Sequence, residues 1–410
     1  MNDPKPESEN LKFIEFNCPK CKTRLKVDIS TAGKQAKCPN CEQIVEVPLT
    51  SVVTDEEQHT TGQNSAADQA IPTGSTNTTP SVDAFHQTKN TPTQSLYSKI
   101  TEEVSKIFVG QTELVQGTLV ALFSGGHVLI ESVPGLGKTL FVRTMAKVLG
   151  IEFGRIQFTA DLMPSDITGA PIYNMKTQEF DFRPGPVFTQ LLLADEINRS
   201  PAKTHAALLE IMQEKNVTID GTTHQMTPPF LVMATQNPIE SEGTYNLPEA
   251  QLDRFMLKLL AGYPSESEEA SILELHGGQA DLDQRLTDEI QTVTDRDEII
   301  ATTHNNSRVN VDSSLAQYIN QIVRKTRTWP SFYMGASPRA GIAMIQGART
   351  LAAFQGRDYA VPDDVIEIAL PVLRHRVMMT AEAEVEGQNV DQLLLDLIRT
   401  VEVPRNRDQG

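Results

Sequence analysis

The sequence predicts an α/β domain with a parallel sheet, then an all-helical domain, and a small β module near the amino terminus. Three observations support this organisation. Short apolar runs alternate with helical patterns between about residues 95 and 263, whereas residues 264–405 show helical patterns. All cysteines are confined to the first 41 residues. Strands that alternate with helices are typical of a parallel sheet covered on both faces.

Composition and charge narrow the class of protein. A length of 410 residues suggests about two to four domains, and a hydrophobic fraction of 39% suffices for ordinary cores. The net charge of −17 argues against broad binding to nucleic acid or anionic membranes. No apolar run approaches the roughly 20 residues of a membrane-spanning helix, and the polar start of the chain lacks a signal-peptide pattern. We therefore expect a cytoplasmic protein without a membrane span.

The four cysteines have the spacing of a structural zinc site. Cys18 and Cys21 form one Cys-x2-Cys pair, Cys38 and Cys41 form the second, and sixteen residues separate the pairs. Two facing thiolate pairs complete a tetrahedral shell that suits Zn²⁺, and cytosolic cysteines of this kind bind metal more often than they form disulfides. Residues 11–48 are therefore predicted to form a zinc ribbon, similar to small bacterial zinc-ribbon modules. An iron site is disfavoured because few aromatic residues could shield it.

The segment after the cysteines has a different composition. Residues 49–94 are rich in Thr, Ser, Gln, Asn and Pro, and Phe85 is their single aromatic residue. Such a segment cannot bury enough apolar surface to offset its ordering entropy, so it is predicted to be a flexible linker. The ribbon on this tether carries seven Lys/Arg against four Asp/Glu and would serve for docking. Its basic surface could meet an acidic partner or nucleic acid, or could be an ordinary solvated face.

The stretch VLIESVPGLGKT predicts a phosphate-binding loop between a strand and a helix. Gly137, Lys138 and Thr139 match the end of the Gly-x4-Gly-Lys-Ser/Thr pattern, whereas Ser132 stands where the first glycine is expected. Lys138 would reach the β- and γ-phosphates, and the Thr139 hydroxyl would bind Mg²⁺. The loop residues predicted to bind the nucleotide at the helix N-terminus are Val133, Pro134, Gly135, Leu136, Gly137, Lys138, Thr139 and Leu140.

Two adjacent carboxylates follow the apolar run LLLA. Asp195 would hold Mg²⁺, directly or through water, and Glu196 would polarise the attacking water. Acidic residues also commonly end strands and cap the following helix. The presence of Lys138 in the same chain favours the nucleotide site over that simpler interpretation.

Three further polar residues are candidates for the catalytic machinery. Asn237 follows the run FLVMA and could orient the lytic water or contact the γ-phosphate. Arg254 is predicted on a short helix at the edge of the core, where in a ring it would enter a neighbour's site and stabilise transition-state charge. Arg339 follows a capping Ser337 and Pro338 at a helix start. A basic side chain there opposes the helix dipole, which favours a functional role.

From about residue 95 to residue 403, the chain resembles the MoxR family of AAA+ ATPases. The stretches that carry the resemblance are FVGQTELVQGTLVAL, GGHVLIESVPGLGKT, RIQFTADLMPSDITG, FRPGPVFTQLLLADEINRSPAKTHAALLEIMQE, ATQNPIESEGTYNLPEAQLDRF, GASPRA and GRDYAVPDDVIEIALPVLRHR. The resemblance implies an AAA+ ATPase core over residues 95–263, with a parallel five-stranded sheet, and a helical lid over residues 264–405. It also implies that the adenine is bordered by Phe108, Val109, Gly110 and Gln111.

The same resemblance implies a role for each candidate. Lys138 and Thr139 match Walker A, and Asp195 and Glu196 match Walker B. The remaining matches are Asn237 with sensor 1, Arg254 with the arginine finger and Arg339 with sensor 2, acting either in its own site or across a subunit interface. ATP and Mg²⁺ are the implied cofactors, and a homo-oligomeric ring, expected to be hexameric, is the implied assembly.

Two predicted hairpins extend this resemblance. PIYNMKTQEFDFRPG is predicted to interrupt a helix, and VTIDGTTHQM is predicted to turn at Asp220-Gly221. Both resemble insertions of the helix-2-insert clade, in which such hairpins face the ring pore and touch substrate. Ordinary connecting hairpins are the alternative interpretation.

The leading functional hypothesis is an ATP-hydrolysing remodeler of chaperone type that matures or activates partner proteins or complexes. The resemblance implies a partner with a von Willebrand factor type A domain. A nucleotide-gated scaffold with slow hydrolysis is the alternative. A DNA-directed motor is disfavoured by the negative charge of the chain outside the ribbon.

The loop predicts a sharp difference between two substitutions. Ser132→Gly should change nucleotide affinity little, because phosphate contact depends on the residues that follow position 132. Lys138→Ala should abolish nucleotide binding or turnover, because it removes the cation that faces the phosphates. Equilibrium binding of ATP to both variants is the measurement, and a large gain of affinity in Ser132→Gly would contradict the first expectation.

Overall fold

The computed structural model describes residues 91–133, 135–237, 245–277 and 282–404, together with four short strands near the amino terminus. The chain divides into two compact units, Met1–Pro80 and Ser81–Gly410. The division falls within the predicted linker. No helix among the described residues has the length and apolar character needed to cross a bilayer.

The amino-terminal unit contains two small antiparallel hairpins. Strands β1 (Phe13–Asn17) and β2 (Arg24–Asp28) form the first. Strands β3 (Gln35–Lys37) and β4 (Ile44–Glu46) form the second. In the sequence, one Cys-x2-Cys pair falls between the two strands of each hairpin. Cys18, Cys21, Cys38 and Cys41 themselves lie outside the described residues, so zinc binding stays a prediction.

The second unit is built on a parallel sheet of five strands in the order β13-β5-β12-β9-β6. These strands are β5 (Val128–Ser132), β6 (Phe153–Gln157), β9 (Leu191–Asp195), β12 (Leu231–Gln236) and β13 (Leu257–Ala261). The predicted five-stranded parallel sheet is therefore confirmed. The apolar runs of the sequence account for four of its strands, and β13 is the edge strand that they did not reveal.

Both faces of this sheet are buried. Leu191 and Leu193 of β9 pack into one apolar cluster, whereas Leu192 and Ala194 pack into a second cluster on the other face. The helices of this part are α1 (Pro92–Ser105), α2 (Thr112–Phe123), α3 (Lys138–Leu149), α4 (Pro164–Thr168), α5 (Ala202–Glu214) and α6 (Glu249–Leu252). The first cluster contains side chains of α1, α2 and α3, and the second contains side chains of α4 and α5. Successive residues of a strand point to opposite faces of the sheet, and both can be apolar here because helices cover each face.

Two hairpins extend from this layered structure. Strands β7 (Gly169–Asn174) and β8 (Glu179–Pro184) form the first, and β10 (Asn216–Ile219) and β11 (Thr222–Gln225) form the second. The second turns at Asp220 and Gly221, both with positive φ (48° and 78°), as the primed hairpin turns require. Both hairpins are confirmed. The expectation that the first interrupts a helix is only half met, because α4 precedes it but Pro184-Gly185-Pro186 leads on towards β9 without a further helix.

The carboxyl-terminal part is mainly helical. Its helices are α7 (Glu266–His276), α8 (Leu282–Glu289), α9 (Arg296–Asn306), α10 (Ser313–Thr326), α11 (Pro338–Phe354), α12 (Pro362–Leu373), α13 (Ala381–Val385) and α14 (Val390–Arg399). Ser337 caps α11 by accepting from the Arg339 N–H, and Pro338 is its first residue, as predicted. The part is not purely helical, because β14 (Phe332–Met334) pairs with β15 (Met378–Met379). Strands of three and two residues are too short to produce a recognisable period in the sequence.

One buried arginine joins the helical lid to the sheet domain. Arg376, which follows α12, donates Nε to the Asp253 carboxylate at 2.8 Å. Its Nη atoms donate to backbone carbonyls on both sides of the junction, including Phe255 at 2.6 Å and Val372 at 2.6 Å. Burial lowers the pKa of the Arg376 guanidinium, an effect that Asp253 opposes and Arg339 adds to. These bonds favour one orientation of the lid, because a displaced lid would leave the Arg376 guanidinium buried without its acceptors.

A buried histidine ties three elements of the core together. His127, directly before β5, accepts a hydrogen bond from the Val232 N–H at Nδ1 (3.0 Å). Its Nε2 lies 3.1 Å from the Met212 carbonyl, which makes the neutral Nε2–H tautomer the consistent one. Burial lowers the pKa of His127 to about 4. The imidazole is therefore a neutral structural link near neutral pH.

The histidine predicts how stability depends on pH. Well above pH 6.5, His127 is neutral in both the folded and the unfolded protein. As the pH falls, the unfolded chain binds a proton near pH 6.5, whereas the folded protein binds it only near pH 4. The free energy of unfolding should therefore fall across this window, by about 3 kcal/mol from this residue alone. Urea unfolding between pH 7.5 and 5 should show a shallower dependence in His127→Gln. The control is His304→Gln, at an exposed position. Equal pH dependences in all three proteins would contradict the assignment.

Candidate active site

The loop between β5 and α3 has the backbone conformation expected for phosphate binding. Gly135 and Gly137 have φ values of 86° and 70°, in the region that favours glycine. Gly137 caps α3, whose first backbone N–H groups have no partners within the helix and face the loop. Pro134 lies outside the described residues. The loop thus presents backbone donors to an anion at the carboxyl edge of the sheet.

Ser132, which departs from the glycine pattern, contacts the predicted phosphate-binding lysine. Lys138 Nζ donates to Ser132 Oγ at 2.9 Å, and Ser132 is buried as the last residue of β5. Its backbone is not in the left-handed region, so glycine is not required there. The serine is compatible with the loop, and its hydroxyl holds the ammonium group beside it.

A cavity of about 350 Å³ adjoins the phosphate loop. Phe108, Val109 and Gln111 form one wall, Gly110 lies between the latter two in the chain, and Tyr263 contributes from beyond β13. The Phe108 ring packs on Phe141 of α3 with ring centroids 4.8 Å apart. The other loop and helix residues of the wall are Ile107, Gly135, Leu136, Gly137, Leu140, Pro264, Glu269, Ile272 and Leu273. An apolar slot beside a phosphate loop has the shape and chemistry for a nucleotide base.

The two adjacent carboxylates lie at the same edge of the sheet. Asp195 is the last residue of β9, and Glu196 follows it with φ 55° and ψ 49°, a left-handed conformation that is rare outside glycine. Both are tied to the neighbouring strand β12. Thr235 Oγ1 donates to Asp195 Oδ1 at 2.7 Å and accepts from the Glu196 N–H at 2.8 Å. Asn237, buried directly after β12, stands at the same edge.

Two residues of the edge strand β6 contact these carboxylates. Arg155 Nη2 donates to Asp195 Oδ2 at 2.7 Å and to Gln157 Oε1 at 2.8 Å. Gln157 Nε2 in turn donates to Glu196 Oε2 at 2.7 Å. Arg199 Nε lies 3.2 Å from the same oxygen of Glu196. Sequence reasoning missed Arg155 and Gln157, although two polar residues spaced by two on a predicted strand do indicate a shared face.

The donor set fits a magnesium ion that is bound mainly through its nucleotide. In the part of the chain that the structure describes, no three His, Cys, Asp or Glu side chains are grouped so that they could hold a metal ion. Asp195 and Thr139 instead offer one carboxylate and one hydroxyl, both hard oxygen ligands. Mg²⁺ typically takes one or two protein ligands and completes its shell with water and phosphate oxygens.

The two predicted catalytic arginines lie elsewhere. Arg254 and Arg339 line a second cavity of about 230 Å³, together with His127 and Arg376. His127 precedes β5 and the phosphate loop follows it, so the strand separates the two regions by roughly 15 Å. Arg254 follows α6 rather than lying on it, and its Nη1 donates to the Leu209 carbonyl at 2.8 Å. The structure therefore brings the two arginines together, and apart from the phosphate loop of their own chain.

Comparisons with known proteins agree with this geometry. A model of the ATPase family associated with various cellular activities (AAA) matches residues 127–257, and an AAA lid domain matches residues 324–396. Chaperone MoxR1 of Mycobacterium tuberculosis is 46% identical over 74% of this chain and 81% of its own length. Protein MoxR of Methylorubrum extorquens is 31% identical over 74% of this chain and 93% of its own length. The chain belongs to the MoxR family of AAA+ ATPases.

Other relatives are consistent with that membership. Protein YeaC of Bacillus subtilis, which has no described function, is 46% identical over 76% of this MoxR-family chain and 96% of its own length. A crystal structure of a candidate ATPase from Cytophaga hutchinsonii is 40% identical and superposes with a TM-score of 0.70, covering 76% of this chain and 96% of the other. The layered core and lid described above are therefore shared with a solved structure.

Proposed function

We propose that this MoxR-family chain is an ATP-hydrolysing, ring-forming remodeler of chaperone type. The observation that carries the proposal is the division of its charged groups between two sites. Asp195 and Glu196 stand by the phosphate loop, whereas Arg254 and Arg339 stand together at the opposite end of β5. Two half-sites at separate places on one chain are complete only when copies of the chain meet.

The residues around the phosphate loop can divide the work of hydrolysis. The loop backbone and Lys138 bind the phosphates, and the apolar slot beside Phe108 takes the adenine. Glu196 acts as general base towards the attacking water, with Asn237 orienting that water. Asp195 and Thr139 would hold Mg²⁺, which supplies charge neutralisation to the phosphates when bound.

The arginines are proposed to act on the site of a neighbouring subunit. Arg254 and Arg339 share a cavity with the ion pair of Arg376 and Asp253, so the lining has an excess of positive charge that favours an anion. Arg376 is held by Asp253 and by carbonyls, and Arg254 gives one Nη1 hydrogen bond to the Leu209 carbonyl, so a phosphate would meet the remaining donors of Arg254 and those of Arg339. This arrangement favours a sensor 2 arginine that acts across the interface of a ring, expected to be hexameric.

The β7–β8 hairpin is proposed to touch the client. Met175 and Phe180 are 87% and 70% exposed, and Tyr173 packs edge-on against Phe180 with ring centroids 5.3 Å apart. An apolar patch on a protruding hairpin suits contact with other chains. At its base, Phe182 stacks on His224 of the β10–β11 hairpin at 4.2 Å, so the two hairpins can move as one unit. This supports the interpretation of both as pore hairpins of the helix-2-insert clade.

The proposed function also includes the partners of the chain. We propose clients matured together with a protein that carries a von Willebrand factor type A domain, in the cytoplasm. The predicted zinc ribbon would add a docking module on its predicted tether. The relative MoxR1 is named a chaperone, which supports this class of activity.

One observation favours the slower alternative, a nucleotide-gated scaffold. One carboxylate oxygen of Glu196, Oε2, accepts a hydrogen bond from Gln157 and lies 3.2 Å from Arg199 Nε. A chain that kept this arrangement with ATP bound would hydrolyse slowly and act through binding alone.

Glu196→Gln separates the two functions. The remodeler predicts that the variant keeps ATP binding but loses about 100-fold or more in turnover, because the general base is gone. ATP turnover and equilibrium ATP binding are the measurements, and Glu210→Gln, on the exposed face of α5, is the matched control. A pull-down of Glu196→Gln in ATP should recover the assembled ring with its client. If ATP turnover were equally slow in the parent and in Glu196→Gln while partner binding still depended on ATP, the result would instead support the scaffold.

Mixing of inactive variants tests where the arginines act. Arg254→Ala or Arg339→Ala, each mixed with Glu196→Gln, should recover part of the parental ATP turnover, because each variant supplies what the neighbour lacks. Glu196→Gln mixed with Lys138→Ala should recover none, since both lesions lie in the same half-site. Recovery with Arg254→Ala but not with Arg339→Ala would place Arg339 in its own subunit's site.

A further inference from the structure

Thr235 occupies an unusual position for a hydroxyl group. It lies on β12, between β5 and β9, and is fully buried in a run whose neighbours Val232, Met233 and Ala234 are apolar. Valine would fill the same space with a second methyl group in place of the hydroxyl. A buried hydroxyl is unfavourable unless it is hydrogen-bonded. The Thr235 hydroxyl is hydrogen-bonded to the two Walker B residues, Asp195 at the end of the adjacent strand and Glu196 directly after it.

The single hydroxyl contacts both residues of the carboxylate pair. It donates its one proton to Asp195 Oδ1 at 2.7 Å and accepts the Glu196 N–H at 2.8 Å. The first bond fixes which Asp195 oxygen turns towards β12 and leaves Oδ2 towards Arg155. The second bond holds the peptide of Glu196, whose left-handed backbone has a conformational cost that the surroundings must offset.

We propose that Thr235 is the positioning residue that sets both Walker B carboxylates for hydrolysis. It acts through Asp195 and Glu196 and does not itself contact the nucleotide. Its hydroxyl fixes the direction in which the chain leaves β9, and so the direction in which the Glu196 side chain projects. This inference rests on the proposed ATPase function.

Two substitutions test this role, the isosteric Thr235→Val and the hydroxyl-retaining Thr235→Ser. Thr235→Val keeps the shape but removes both bonds, so kcat for ATP should fall about tenfold to 100-fold while KM changes little. The Mg²⁺ concentration needed for tight ATP binding should rise, because Asp195 keeps its hydrogen bond to Arg155 but loses the one that holds Oδ1. Thr235→Ser keeps the hydroxyl and should restore both values to near those of the parent.

A second buried threonine provides the matched control. Thr118 on α2 is also fully buried, and its hydroxyl has no hydrogen-bond partner among the residues described. Thr118→Val should leave kcat and the Mg²⁺ requirement unchanged, and thermal melting checks that each variant is folded.

The outcomes distinguish this inference from the function on which it rests. Parental kcat and parental Mg²⁺ requirement in Thr235→Val would overturn it, as would equal losses in Thr235→Val and Thr235→Ser, because the hydroxyl that serine keeps would then not be sufficient to set the two carboxylates. If the parent does not hydrolyse ATP, the proposed function fails. The Mg²⁺ requirement for ATP binding, compared between the parent and the two Thr235 variants, then still decides the role of Thr235.

Discussion

The central sheet is buried on both faces, and this constraint determines where function can lie. Strands β9 and β12 carry apolar side chains along their length because helices cover both sides. Polar groups are tolerated where these strands end, at Asp195, Thr235 and Gln236. Since all five strands are parallel, these ends meet at one edge, next to the loop that follows β5. The layering that stabilises the fold therefore also assembles the carboxylates beside the phosphate loop.

The same strand direction separates the arginines from that edge. The chain enters β5 beside Arg254 and Arg339 and leaves it at the phosphate loop, so the arginines and the loop lie at opposite ends of one strand. The junction around Arg376 holds the lid against the sheet domain, because its buried guanidinium is bonded to both. In the proposed ring, this separation would make contact between copies of the chain a condition for hydrolysis. The orientation of the lid, which carries Arg339, would then set the geometry of the two arginines towards the neighbouring copy.

The sequence anticipated local features better than contacts between distant segments. Four strands, both hairpins and the Ser337 cap of α11 follow from patterns within a few residues of each other. Strand β13 was missed because Leu257–Ala261 has mixed burial and follows α6 without a clear turn signal. The short strands β14 and β15 pair across more than forty residues, a distance at which no local period exists.

The candidate site shows the same limit. Lys138, Asp195 and Glu196 are recognisable because their residue types and spacing are dictated by phosphate chemistry. Thr235 resembles any β-branched strand residue in the sequence, and its role depends on the strand that lies beside it. Arg155 is likewise forty residues away from the Asp195 that it contacts. Pairing across the sheet creates these contacts, so one strand read alone could not indicate them.

The contacts of β6 add a further level to the site. Arg155 donates to Asp195 and to the oxygen of the Gln157 amide, which leaves the amide nitrogen to donate to Glu196. Arg155 therefore holds the Gln157 amide in one orientation, and that amide occupies one carboxylate oxygen of Glu196. Asp195 and Glu196 are therefore linked through Arg155 and Gln157 of β6, in addition to their shared contact with Thr235 of β12.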